Sequence, residues 1–247
     1  MANNPSGKLS GKVALVTGAS RGIGKAVALE YAKQGAQLFI CARRRAPLAR
    51  TAKEIRAAGG EVHYLAADLA KVRDVKRIVQ EARRRYGTIH ILVNNASVLG
   101  PRVPIADYPL RAWEEVIRVN LTALFLLTKE TLGLMMPQRE GSIINVSSGV
   151  GRIGKARWGA YAVSKFGVEG FTQVLVDEVK DSNIRVNAVN PGGTRTEMRA
   201  EAYPEEDPLT LPAPAEITGV FVYLASPESL AVTGKSFDAR AWLKRQN

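Results

Sequence analysis

Cys41 is the only cysteine in the chain, so no internal disulfide can form and nothing in the cysteine usage points to an oxidising compartment. Long apolar runs are also missing. No segment approaches the eighteen or more apolar residues that a membrane span needs. The first residues, Met1 to Lys12, are polar and lack the apolar centre of a secretory signal. The expectation is therefore a cytoplasmic protein with no membrane partner. Aromatic residues make up only 6% of the chain. They are not interleaved with the short basic runs Arg43-Arg44-Arg45 and Arg83-Arg84-Arg85, so no stacking platform for single strands is visible. Acidic residues are outnumbered, 23 against 35 basic ones, for a net charge of +12. Such a balance can mark a nucleic-acid or membrane-surface partner. Here the basic residues are spread along the whole chain and read as a solvated surface, with no specific nucleic acid expected. An acidic substrate or an acidic carrier protein is compatible with that surface.

What the chain does contain is an alternation of short β-rich apolar runs with longer helical patterns. Strands are expected at Val13–Thr17, Gln37–Ala42, Glu61–Ala66, Ile89–Asn94, Gly141–Val146, Arg185–Asn190 and Lys235–Asp238. Their near-continuous apolar character suits strands covered on both faces. Helical patterns fall at Gly22–Gln34, Leu48–Ala58, Val72–Tyr86, Leu110–Met136 and Ala160–Asp181. This order implies right-handed βαβ units and an α/β fold: a doubly wound, parallel, seven-stranded sheet with helices on both faces. One domain covering all 247 residues is expected. A break comes at residues 199–214, where Pro204, Pro208 and Pro212 recur at a spacing no regular helix tolerates, with Glu205, Glu206 and Asp207 among them. This predicts an irregular loop, about 197–214, inside the domain.

The first strand runs directly into Thr17-Gly18-Ala19-Ser20-Arg21-Gly22-Ile23-Gly24 and then a helix. Glycine permits the unusual φ of such a turn and lets backbone N–H groups approach a pyrophosphate at the helix start. Gly18, Ser20, Arg21, Gly22, Ile23 and Gly24 are accordingly candidate cofactor-binding residues. The spacing, T-G-x-x-x-G-x-G, resembles that of the short-chain dehydrogenases/reductases of roughly 250 residues, and the resemblance extends from Leu9 to about Asp238. It implies a Rossmann-type fold and a nicotinamide cofactor. The end of the second strand bears on which one. NAD-preferring sites carry Asp or Glu there to accept from the ribose hydroxyls; this chain has Cys41-Ala42-Arg43-Arg44-Arg45. Arg43, with Arg21, would meet a dianionic 2′-phosphate, and the resemblance implies the same preference for NADP(H) over NAD(H). Asp68 and Leu69 resemble the pair that touches the adenine, although Asp68 reads equally as a cap before Val72. Asn94 and Ala96 belong to Asn94-Asn95-Ala96, where the family has N-N-A-G; Ser97 replaces that glycine and removes no catalytic group.

Tyr161 and Lys165 are spaced at i and i+4, which puts phenol and ammonium on one helical face. A free phenol titrates near ~10, so the cation at Lys165 is expected to lower the pKa and make Tyr161 a neutral-pH acid/base. Ser148 ends the fifth strand thirteen residues earlier and matches the family's serine, which holds the substrate oxygen as an oxyanion donor would; Ser147 is the alternative. Asn120 is a polar intrusion in an apolar helix and needs a partner. The family's matching asparagine holds a water that joins the lysine to a proton relay. Asn190-Pro191-Gly192-Gly193-Thr194-Arg195-Thr196 resembles the P-G-x-x-x-T stretch of the nicotinamide pocket, which implicates Pro191, Gly192, Thr194 and Thr196, together with Tyr161 and Lys165, in holding cofactor.

The resemblance thus implies an enzyme moving hydride between nicotinamide and a carbonyl or secondary alcohol, with Asn120, Ser148, Tyr161 and Lys165 as its catalytic set and no metal. Two other classes stay open: a catalytically silent NADP(H) sensor and a basic nucleic-acid-binding protein. The stretch Gly-Gly-Thr-Arg-Thr-Glu-Met and the later Pro-Glu-Glu-Asp-Pro resemble the YciK-like bacterial subgroup. The short lid implies an open pocket whose specificity rests on Val98–Pro104, Val150–Trp158 and Met198. Trp158 reads either as pocket wall or as core. A small-molecule substrate is expected, and a 3-oxoacyl thioester on an acidic carrier would suit Arg152, Lys155 and Arg157. The C-terminal segment from Val232 to Arg240 departs from the family's V-D-G-G-like ending. That edge often forms a subunit interface, which implies a homotetramer or a homodimer.

Overall fold

The computed structural model describes residues 7–246. Seven strands form one sheet: β1 (Val13–Thr17), β2 (Gln37–Ala42), β3 (Val62–Ala66), β4 (Ile91–Asn94), β5 (Gly141–Val146), β6 (Ile184–Asn190) and β7 (Ser236–Asp238). Their spatial order is β3-β2-β1-β4-β5-β6-β7, and every neighbouring pair is parallel. The helices are α1 (Gly22–Lys33), α2 (Arg45–Ala57), α3 (Val72–Tyr86), α4 (Leu110–Ile117), α5 (Ala123–Gln138), α6 (Gly159–Glu178), α7 (Glu197–Ala202), α8 (Gly219–Ala225) and α9 (Ala239–Gln246).

The continuous apolar strands are explained by two cores, one on each face of the sheet. Alternate residues serve opposite layers. Ala14, Val16, Leu38 and Ile40 pack with α1, α2 and α8 through Val27, Tyr31, Ile55 and Phe221. Leu15, Phe39 and Cys41 pack with α3, α5 and α6 through Val75, Ile78, Leu127 and Leu175. Burying each such side chain contributes roughly 1.5–3 kcal/mol. On α3 the buried Val75, Ile78, Val79 and Ala82 follow the helical repeat, and Gly87, with φ 77°, ends the helix in a conformation that glycine adopts without strain.

Differences from the sequence reading concentrate at element ends. α2 begins at Arg45 rather than Leu48, and the second half of the Leu48–Ala58 pattern ends one residue sooner. The 110–136 pattern is a continuous helical stretch to Gln138, but a π turn at Arg118–Thr122 interrupts it. By length and composition this stretch could cross a membrane, contrary to the sequence expectation. It is instead a core helix: Leu124, Leu127, Thr128, Thr131 and Met135 are buried, Leu127 and Met135 in the layer that α3 also lines. Within 197–214 the structure has α7 and a short 3-10 turn at Pro208–Thr210, so the region is only partly irregular. The prolines fall outside α7, which ends at Ala202.

The chain reverses direction across the sheet between β1 and β4, which are paired but far apart in sequence. Helices on either side of this point diverge and leave a crevice beyond the carboxyl ends of the strands. Thr17 seals its floor. Its hydroxyl donates to the Val93 carbonyl (3.2 Å) and accepts from the backbone N–H groups of Asn95 and Ala96, each at 3.0 Å.

Candidate active site

The crevice is a cleft of about 720 Å³. One end is built on the turn between β1 and α1. Gly18 and Gly22 have φ of +68° and +56°. At Gly18 an added Cβ would stand 2.9 Å from the Ala96 Cα, and at Gly24 it would meet the Gly18 carbonyl oxygen at 2.6 Å. Glycine is thus required by both φ and close approach. Gly18, Ser20, Arg21, Gly22 and Ile23 line the cleft, whereas Gly24 lies behind it and lets α1 pack onto the turn. Arg43 and Arg44 line the cleft beyond β2, both exposed, and no carboxylate ends that strand. Asp68 and Leu69 line the same region. The Asp68 carboxylate accepts the Ala70 N–H (3.1 Å), so it shapes the turn ahead of α3, while the N-cap position itself is Lys71.

The tight, positive-φ turn at the start of α1 and the cationic side chains across from it suit a phosphorylated dinucleotide. Beside the glycine turn, Pro191, Gly192, Thr194 and Thr196 also line the wall. Thr194 is buried and donates to the Pro191 carbonyl (3.3 Å), and Thr196 caps α7 by accepting the Arg199 N–H (3.1 Å).

Ser148, Tyr161 and Lys165 converge on the same cleft. Ser148 follows β5 in extended conformation. Tyr161 and Lys165 stand one turn apart on α6, both buried. Burial pushes the Tyr161 phenol up to about 12, opposed by the hydroxyls of Ser148 and Ser97. The expected lowering by Lys165 is therefore not what governs the phenol: desolvation of the phenolate does. Burial also lowers Lys165 to about 8, opposed by the Glu169 carboxylate. Lys165 donates to the Val146 carbonyl at 2.8 Å. Ser147 is more deeply buried than Ser148 and also reaches the cleft wall; among the described residues its hydroxyl has no hydrogen-bond partner.

Like Gly24, two further predicted residues stand behind the cleft rather than in its wall. Asn120, in the π turn, has its amide oxygen accepting the Val98 N–H (2.8 Å) and its amide nitrogen donating to the Val98 carbonyl (3.0 Å) and the Ser164 hydroxyl (3.1 Å). It pins the chain after β4 to α6. Asn94 donates to Thr128 (3.1 Å) and Asn145 (2.9 Å) inside the sheet layer. Its neighbours reach the cleft: Asn95, whose amide donates to the Thr17 carbonyl (2.8 Å), Ala96, and Ser97. Sequence reasoning singled out neither Asn95 nor Ser97 as a site residue. The signal for Ser97 was its replacement of a family glycine, which adds a hydroxyl beside Tyr161 rather than merely altering a turn.

Beside Tyr161 the cleft is walled by Leu99, Val150, Trp158, Met198 and Tyr203. Trp158 is both wall and core, buried and 5.5 Å from the Tyr161 ring. Arg102 ties this wall to α7. It bonds the Ala202 carbonyl and lies 4.8 Å from the Trp158 ring and 4.9 Å from that of Tyr203. Arg199 joins this cluster, 3.8 Å from the Tyr203 centroid, and pairs with Glu206 through two 2.6 Å bonds. Of the three cations expected to flank the pocket, Arg152 is committed to Glu169 (3.3 Å) and Asp238 (3.1 Å). Lys155 and Arg157 are exposed, and Lys155 lines the cleft.

The family model described as short chain dehydrogenase matches residues 12–207. The chain is 39% identical over 235 residues to the uncharacterized oxidoreductase YciK of Escherichia coli, covering 94% of this chain and 93% of that protein. It is 38% identical over 237 residues to the 3-oxoacyl-[acyl-carrier-protein] reductase FabG of Thermotoga maritima, covering 92% of this chain and 96% of that one. Among solved structures, a short chain dehydrogenase from Shigella flexneri complexed with NADP superposes with a TM-score of 0.90 at 39% identity, covering 94% of this chain and 98% of that chain.

Proposed function

Since the chain belongs to the short-chain dehydrogenase family, we propose that this oxidoreductase uses NADP(H) to interconvert a carbonyl and a secondary alcohol, with Tyr161 as the proton donor and acceptor. The observation that carries the reading is the convergence of Ser148, Tyr161 and Lys165 on one cleft with the glycine turn and Arg21, Arg43 and Arg44. The relative from Shigella flexneri, complexed with NADP, supports the cofactor. The chemistry a bound NADPH would supply is hydride for the carbonyl carbon.

The chain's own residues do the rest. Ser148 holds the substrate oxygen by donating its hydroxyl, which favours the charge that builds there. Tyr161, neutral because burial holds its pKa high, passes its phenolic proton to that oxygen. Lys165 is a cation at neutral pH and favours the phenolate that Tyr161 becomes. Asn120 acts at one remove, fixing the Val98 backbone against α6 so that Ser97 and Tyr161 keep their places. In the oxidative direction the same groups act in reverse.

For substrate, a small carbonyl compound with an apolar body suits the Leu99, Val150, Trp158 and Met198 wall. A 3-oxoacyl thioester is the first candidate, since the Thermotoga maritima relative is a 3-oxoacyl-[acyl-carrier-protein] reductase. The exposed Lys155 and Arg157 would face an acidic carrier. We place the protein in the cytoplasm, in keeping with its one buried, free thiol at Cys41. A homodimer or homotetramer is the proposed assembly, supported by the exposed apolar side chains Phe125, Val163, Phe166 and Val174 on α5 and α6. Oxidation of NADPH by the purified protein, followed with 3-oxoacyl thioesters and with simple ketones, tests the activity. Turnover of a carbonyl compound is the expected result; tight NADPH binding with no turnover of any would return the protein to a sensor.

A further inference from the structure

Arg21 leaves the glycine turn with its guanidinium Nη1 against the carboxylate Oε2 of Glu197, the first residue of α7. The contact is part of a local junction. Thr196, directly before Glu197, turns its methyl toward Gly22, where an added Cβ would meet it at 3.5 Å. The same threonine caps α7 through the Arg199 N–H. The glycine turn and the start of α7 are thus neighbours through two consecutive residues. Two acidic residues, Asp68 and Glu197, line the cleft. Asp68 is committed to the Ala70 N–H, which leaves Glu197 as the carboxylate in that wall paired with a guanidinium. Arg43, across the cleft, has a looser partner in Glu115 of α4, at 3.9 Å.

We infer that Glu197 is the internal counterion of Arg21 and competes for it with the 2′-phosphate of the cofactor, so that Glu197 sets how strongly the protein separates NADPH from NADH. This rests on the NADP(H) reading above. One guanidinium cannot serve both anions at full strength. A phosphate dianion carries more charge and more acceptor oxygens than a carboxylate, so it takes Arg21 and leaves Glu197 unpaired. NADH, lacking that phosphate, leaves the ion pair intact. The pair is largely exposed, 55% and 68%, so its effect is limited to the range of surface pairs, roughly two- to five-fold in affinity. The exchange also releases the first residue of α7, the helix that carries Met198, Arg199 and Ala202 into the cleft wall.

The test is a double-mutant cycle read by equilibrium titration of NADPH and NADH, with fluorescence as the signal. Glu197→Gln is close to isosteric and exposed, so the fold is retained. It should lower the NADPH Kd two- to five-fold and leave the NADH Kd unchanged. In an Arg21→Ala background the same substitution should no longer improve NADPH binding. An unchanged or weaker NADPH affinity overturns the inference. So does an equal gain for NADH, or a gain that persists undiminished without Arg21, which would mark general repulsion rather than competition for one guanidinium. The wild-type titration separates the two levels: no preference for NADPH there defeats the cofactor reading itself, whereas a preference unaffected by Glu197→Gln defeats only the counterion.

Discussion

The Nζ of Lys165 sits 5.5 Å from the centroid of the Tyr161 ring and donates to the Val146 carbonyl at the end of β5. Both side chains are buried, and burial moves their titrations in opposite directions, Tyr161 up to about 12 and Lys165 down to about 8. The cause is the same for each, because desolvation penalises whichever form is charged. At neutral pH the pair is therefore a neutral phenol beside an ammonium, the arrangement a proton donor needs when a carbonyl is reduced.

The reductive kcat/KM should be level through neutral pH and fall as pH rises through about 8, where Lys165 loses its charge. Glu169 raises the Lys165 pKa, so Glu169→Gln should move the falling limb to lower pH. Paired pH–rate profiles check both. A limb that moves upward, or stays fixed in the variant, contradicts the electrostatic account.

Replacing Tyr161 by Phe keeps the ring against Trp158, 5.5 Å away, and removes only the hydroxyl. kcat should drop by roughly 10²–10⁴-fold, the usual share of a general acid. Cofactor Kd should hardly move, and steady-state rates combined with cofactor titration separate the two effects. Near-normal turnover would remove Tyr161 from the chemistry.

Ser97 lowers the Tyr161 pKa together with Ser148. Ser97→Gly, which restores the family residue, should therefore raise the apparent pKa of the phenol and slow the oxidative direction, which needs phenolate, more than the reductive one. Comparing kcat for the two directions reads this out. Equal slowing of both would indicate a loop effect instead.

Gly24→Ala would drive a methyl to 2.6 Å from the Gly18 carbonyl oxygen, with backbone on both sides of the contact. Overpacking of this kind costs about 1–3 kcal/mol. The variant should show a lower Tm and weaker cofactor binding, checked by thermal unfolding with and without NADPH.

Much of this architecture is legible in the sequence because the signals are local. Strands covered on both faces are uninterrupted apolar runs, and the turn from Thr17 to Gly24 needs glycine at fixed places. Tyr161 and Lys165 meet because four residues make about one helical turn. The rest depends on contacts between distant segments. Nothing near Asn120 announces that its partners are the Val98 backbone and Ser164, or that its helix carries a π turn there. Asn94 and Asn95 are adjacent and alike, yet strand alternation sends one into the layer beneath the sheet and the other toward Thr17. The reversed Tyr161 shift has a similar origin, since helical spacing reveals the neighbouring ammonium but not the depth of burial. Arg152 looked free for a carrier until Glu169 and Asp238, on α6 and β7, were brought to it.

The most direct test of the central claim is a pair of equilibrium titrations, NADPH and NADH, against the wild-type protein at one ionic strength. Hydrogen bonds from Arg21 and Arg43 to a charged phosphate should favour NADPH by roughly 10–100-fold. NADH binding as tightly as NADPH would contradict the assignment of those arginines, and binding of neither would contradict the dinucleotide site.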